Sequence, residues 1–172
     1  WNSFYKINQS TSGYHISRNA SVQQIDKLCS EWNMKLLQNN KIFTPKSSEY
    51  LAWRYENNPL QEYEIYAAPN LYMAGYVKKR KNIKELRISE CIFSQTKIID
   101  KPIHRIINKW SSKFGVQVIS YSPELFPSQV FSIKGNFGPI LTTKNLNLQE
   151  DDLSIHGKIG NWNYSIGDLE LF

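Results

Sequence analysis

The run of strand and helix patterns between residues 62 and 120 constrains this chain more than any other feature. Three strand-like segments, 62–68, 71–80 and 84–93, are separated only by the turn residues Pro69-Asn70 and Lys81-Asn82. Connections that short join neighbours antiparallel, so the three form a meander. A helix over 102–114 follows, with Ile103, Ile106, Ile107, Trp110 and Phe114 on one stripe and Gly115 as its C-terminal stop. The apolar segment 116–120 comes next. A strand–helix–strand crossover of this kind is parallel and right-handed. A meander feeding one parallel crossover predicts an α+β domain, with a mixed sheet whose parallel pair splays around a ligand or partner.

The rest of the chain fits around that unit. Residues 1–12 are polar with scattered aromatics and form a linker or strap, leaving 13–172 as one domain with a short first strand at 13–17. Ser21 opens a helix through a capping box with Gln24, and Val22, Ile25, Cys29, Trp32 and Leu36 share one face. Asn39-Asn40 ends it. A second helix is expected near Thr44-Pro45, with Thr as cap and Pro at the first position. It carries Tyr50, Leu51, Arg54 and Tyr55, and stops before Pro59. Further strand candidates are 129–134, 140–144 and 161–166.

Composition narrows the function classes. Of 172 residues, 41% are hydrophobic and 13% aromatic, values of a packed chain rather than a disordered one. No apolar run approaches the ~20 residues that span a bilayer. The chain opens on Trp1 without Met and reads as a piece whose upstream part is missing. Cys29 and Cys91 lie in apolar patterns, as buried thiols of a reducing, cytoplasmic protein do. The heavy use of Lys, Asn and Ile is that of an AT-rich bacterial genome. The net charge of +6 is mild, and its only dense run, Lys78-Lys79-Arg80-Lys81, is one solvated hairpin tip. One turn is too narrow to neutralise a row of phosphates, so no nucleic-acid partner is expected. His15 and His156 have no Cys, His or acidic neighbours at ligand spacing, so no metal is implied.

The element order resembles the GNAT (acyl-CoA N-acyltransferase) superfamily from about residue 13 to the end. Ser48-Glu49-Tyr50-Leu51-Ala52-Trp53-Arg54-Tyr55, followed by Asn58-Pro59 and Tyr63, is similar to the "yLxWRY…P…Y" pattern in the C-terminal half of two-part bacterial acetyltransferase-like proteins. Some of these are associated with surface polysaccharide synthesis. The ending Trp162-Asn163-Tyr164-Ser165-Ile166-Gly167-Asp168 resembles the closing strand of such proteins. The resemblance implies a GNAT-like mixed sheet and acyl transfer from acetyl-CoA or another acyl-CoA to an amine, for instance an amino sugar. It also implies, as partner, the missing N-terminal half of the parent protein.

Candidate site residues follow from that resemblance. Glu90 lies on the strand where the family often places a general base, with an exposed carboxylate on the sheet as the alternative. Tyr121 lies near the family's thiolate-protonating tyrosine, or else caps the core. The family's pyrophosphate loop is glycine-rich, letting backbone N–H groups approach the phosphates. The matching residues 94–100 contain no glycine. Ser94, Thr96, Lys97 and Lys101 are the cofactor-binding candidates there, the lysines as point charges. Arg54 either pairs with a nearby carboxylate or carbonyl, while Trp53-Arg54-Tyr55 packs the helix on the sheet, or binds an acceptor anion bidentately. The glycine-free loop opens a second reading. In it the domain is a non-catalytic GNAT-like module that packs on a catalytic half and shapes the acceptor site.

Overall fold

The computed structural model describes residues 13–94, 100–122, 135 and 156–169. Within them the chain runs β1 (Ile16–Arg18), α1 (Val22–Gln38), β2 (Ile42–Phe43) and α2 (Ser48–Leu51), which passes into a π-helical turn at Ala52–Glu56. It continues through β3 (Glu64–Ala68), β4 (Leu71–Arg80), β5 (Ile83–Phe93), α3 (Asp100–Phe114) and β6 (Val118–Tyr121). A 3-10 turn (Ile159–Asn161), β7 (Trp162–Asn163) and α4 (Ile166–Leu169) end the described chain. Five strands make one mixed sheet in the order β1-β3-β4-β5-β6, and β2 pairs with β7 beside it. The meander β3-β4-β5 is antiparallel, and β6 returns parallel to β5 through α3. An α+β fold with that mixed sheet is therefore present.

Helices cover both faces of the sheet. On one, Ile25, Leu28, Cys29, Trp32 and Leu36 of α1 pack with Leu51 and Tyr55 onto Tyr63, Ile65, Tyr72, Ala74 and Ile92. On the other, Ile103, Ile106, Ile107 and Trp110 of α3 cover Leu71, Met73, Leu86, Ile88 and Cys91. The capping box of α1 forms as expected. Ser21 Oγ accepts from Gln24 N–H at 3.2 Å, and the Gln24 side chain accepts from Ser21 N–H at 2.9 Å.

Three features depart from the sequence expectation. The second helix begins at Ser48 with Ser47 as its cap, so Pro45 precedes it instead of opening it. The reason lies in α1. Asn33 accepts from Lys46 N–H and donates to Lys46 C=O, while Asp26 accepts from Ser48 N–H, so residues 46–48 are tied to α1 across the helix entry. The closing segment 161–166 supplies only a two-residue strand before Ser165 turns the chain into α4. The candidate strands 129–134 and 140–144 lie outside the described residues.

The third departure is a β-bulge. Ala74 faces Glu90 but Gly75 faces Ile88, so Ser89 is an extra residue in β5. Strict alternation would turn Leu86, Ile88, Glu90 and Ile92 to one face. One inserted residue reverses the phase beyond it. Leu86 and Ile88 accordingly pack under α3, whereas Ile92 packs under α1, and Glu90 turns with it. Pairing with β6 stops at the same place, Ile88 opposite Tyr121, while β5 runs on to Phe93.

Candidate functional site

Just beyond the bulge, under α1 and α2, lies a closed polar cluster. Glu90 brings a carboxylate from the sheet, 1% exposed. Lys46 reaches down from the loop that Asn33 clamps, and its Nζ lies 3.0 Å from Glu90 Oε2. Asp168 enters from α4, its Oδ1 2.6 Å from the same Nζ. Tyr55 donates to Glu90 Oε2 at 3.2 Å, and Tyr50 donates to Asp168 Oδ1 at 3.3 Å. Asp168 Oδ2 accepts from the N–H and hydroxyl of Ser165, so one carboxylate both caps α4 and binds the lysine. Arg54 donates to the carbonyl of Gly167 at 2.6 Å.

Gly167 is where the cluster closes. A methyl group on it would stand 2.1 Å from Tyr55 Oη and 3.1 Å from the carbonyl oxygen of Ser89. Only a hydrogen lets α4 sit this deep on the bulge. The π-helical turn contributes on the opposite side, with Asn57 N–H bonding to Ala52 C=O, five residues back. Its widened backbone buries both Arg54 and Tyr55, while Trp53 points outward at 68% exposure. Arg54 thus takes the carbonyl partner, and Trp53 does not pack on the sheet.

One ammonium shared by two carboxylates sets the protonation states. Burial pushes Glu90 above the ordinary carboxylate range, with Lys46 pulling it back and Asp168 adding to the rise. Burial opposes the charge on Lys46, but Glu90 and Asp168 together outweigh it and hold the amine more basic than usual. For Asp168 burial is overcome by Lys46 and the Ser165 donors, which hold it below the ordinary range. Burial drives the Tyr55 phenol well above its usual value. An amine held this firmly as ammonium is not a free nucleophile towards external substrates.

The sequence-derived candidates separate. Glu90 lies on the α1 face, whereas Tyr121, opposite Ile88 on β6, packs against the α3 cluster on the other face. Ser94 is buried, donating from its hydroxyl to Glu31 at 3.2 Å and from its N–H to the Asn70 carbonyl. Lys101 is exposed in the first turn of α3, and Thr96 and Lys97 lie outside the described residues. Lys46 escaped sequence reading because nothing in its neighbourhood marks a loop lysine as buried. Asp168 had a signal: Ser165-x-x-Asp168 is a helix-start pattern. Among the described residues no group of His, Cys, Asp and Glu could hold a metal ion, and no helix is long and apolar enough to cross a membrane. Comparison with family models, with curated proteins and with solved structures finds no match to this chain.

Proposed function

We propose that this chain is a GNAT-like module that does not carry out acyl transfer at Glu90, and that it packs on a catalytic half of its parent protein and shapes the acceptor site there. The observation carrying this reading is Lys46. In a GNAT-like site, the carboxylate on this strand would receive a proton from the acceptor amine. Here the amine within reach of Glu90 is the chain's own, 3.0 Å away, with the two side chains 5% and 2% exposed. The neighbouring positions are taken by Tyr55 and Asp168, which leaves an external amine no approach to Glu90 from this side.

Two further observations support the reading. The antiparallel meander and the parallel crossover match the element order that the resemblance uses. The residues following β5 offer no glycine to bring backbone donors close to a pyrophosphate. A helix N-terminus alone contributes about 0.3–1 kcal/mol towards an anion, against the ~8 kcal/mol that micromolar binding needs. A partner domain would find exposed apolar side chains at Ile83, Val118 and Ile119, on the adjoining strands β5 and β6.

Calorimetric titration of acetyl-CoA into the chain at low salt, with desulfo-CoA as second ligand, tests the proposal. The expected result is no saturable heat up to millimolar ligand, and no CoA release when primary amines are added. Micromolar binding together with CoA release that Glu90→Gln abolishes overturns it and restores the acyltransferase reading for this domain.

A further inference from the structure

The contacts of Lys46 support a chemical step that does not depend on any acyltransferase-like role. We propose that Lys46 Nζ condenses with the side-chain carboxyl of Asp168 to form an internal amide, releasing one water, with Glu90 as proton carrier. Nζ lies 2.6 Å from Asp168 Oδ1, the oxygen bonded to the carbon it would attack, and Glu90 Oε2 lies 3.0 Å from the same nitrogen. All three side chains are at most 8% exposed, which excludes the bulk water that would hydrolyse the product. Reacting groups that reach near-attack geometry attain effective molarities of about 10⁵–10⁸ M, and the shared contact keeps Nζ beside the Asp168 carboxyl.

The step balances within the cluster. Glu90 takes one proton from the ammonium and passes it to Oδ1, leaving a neutral amine beside a neutral acid. The nitrogen lone pair then attacks Cγ, and the carbonyl pair moves onto Oδ2. That oxygen already accepts from Ser165 N–H at 2.9 Å and Ser165 Oγ at 3.0 Å, donors placed to hold the developing charge. A second proton travels from Nζ through Glu90 to Oδ1. The Cγ–Oδ1 bond breaks with its electron pair, and water leaves. The pair on Oδ2 returns to form the amide carbonyl, and Glu90 ends as it began. Nothing is oxidised or reduced.

Burial raises the Glu90 carboxyl and so suits it to carry a proton. Both halves of the proton transfer are uphill, because Glu90 and Asp168 favour the ammonium of Lys46 while Lys46 and Ser165 favour the anion of Asp168. The product would keep the surrounding bonds, since the amide oxygen can accept from Ser165 and the remaining N–H can donate to Glu90. Residues 122 apart would then be joined, fixing α4 to the loop before α2 covalently.

Intact mass of the purified, denatured chain decides the matter without any variant having to fold. The expected mass is about 18 Da below that of the sequence, one water. Trypsin should then yield a branched peptide joining residues 42–54 to residues 159–172, uncut at Lys46. Lys46→Arg and Glu90→Gln should each return the full sequence mass. A full mass for the natively folded chain overturns the proposal, as does a loss that maps to other residues or persists in Lys46→Arg. Persistence in Glu90→Gln overturns the role given to Glu90.

Discussion

Replacing Gly167 by alanine drives a methyl group into Tyr55. The new carbon would stand 2.1 Å from Tyr55 Oη, 3.0 Å from Tyr55 Cζ and 3.1 Å from the Ser89 carbonyl oxygen. The ring has little freedom to retreat. It is 2% exposed, lies edge-on to Tyr63 at 5.2 Å, and is bound to Glu90 through its hydroxyl. Overpacking of a filled core costs about 1–3 kcal/mol. If the ring yields, Glu90 loses a buried hydrogen bond, a further loss of about 1–3 kcal/mol. The sum is about 2–6 kcal/mol, centred near 4. At roughly 2–4 °C per kcal/mol for a chain of this size, Tm falls by about 8–16 °C. A double-mutant cycle with Tyr55→Phe, followed by urea unfolding, isolates the cause. Removing Oη leaves contacts no shorter than 3.0 Å, so the alanine should then cost only about 1 kcal/mol, a coupling of about 1–5 kcal/mol centred near 3. A Gly167→Ala variant within 0.5 kcal/mol of the parent, or two changes that simply add, would refute the steric account.

Two other expectations follow from the buried groups and the caps. Burial pushes the Cys29 thiol up to about 12, and drives Cys91, Tyr55 and Tyr72 well above their ordinary values. These groups keep their protons in the folded state while the unfolded chain releases its own from about pH 9 upward. Unfolding free energy should therefore be insensitive to them below pH 8 and fall between about pH 9 and 12, measured as urea midpoints across that range. A midpoint that rises with pH there would contradict the assignment. Ser21→Ala removes the cap of α1 and should cost about 1 kcal/mol in the same assay, with Gln24→Ala costing less.

Much of the fold was legible in the sequence because its signals are local. The α1 stripe, the capping box, the α3 stripe ending at Gly115 and the three closely spaced strands each express a period or a cap within one segment. The parallel return of β6 followed from the length of the crossover and the handedness rule. The start of α2 was misplaced for a physical reason. Thr44-Pro45 is a good local start, but Asn33 and Asp26 on α1 hold the backbone of Lys46 and Ser48, and Ser47 becomes the cap instead. The strand expected at 161–166 is cut short to Trp162–Asn163 because Ser165 and Asp168 satisfy each other's backbone donors, a stronger local preference than two apolar positions.

The candidate site was less legible, and Glu90 shows why. Its place on β5 followed from the pattern, but the face it occupies did not. The bulge at Ser89 reverses the side-chain phase between Ile88 and Glu90, with the close approach of Gly75 to the Arg87 carbonyl beside it. A one-residue slip of register leaves no mark on hydrophobic periodicity, yet it separates Glu90 from Tyr121 by the thickness of the sheet. The sequence by itself determined the elements, their order and the mixed sheet, because periodicity, caps and connection length act over a few residues. Only the tertiary structure decided that Lys46 and Asp168, 122 positions apart, meet at Glu90. Such a contact depends on the bulge, the π-helical turn and a glycine acting together, and no single segment encodes it.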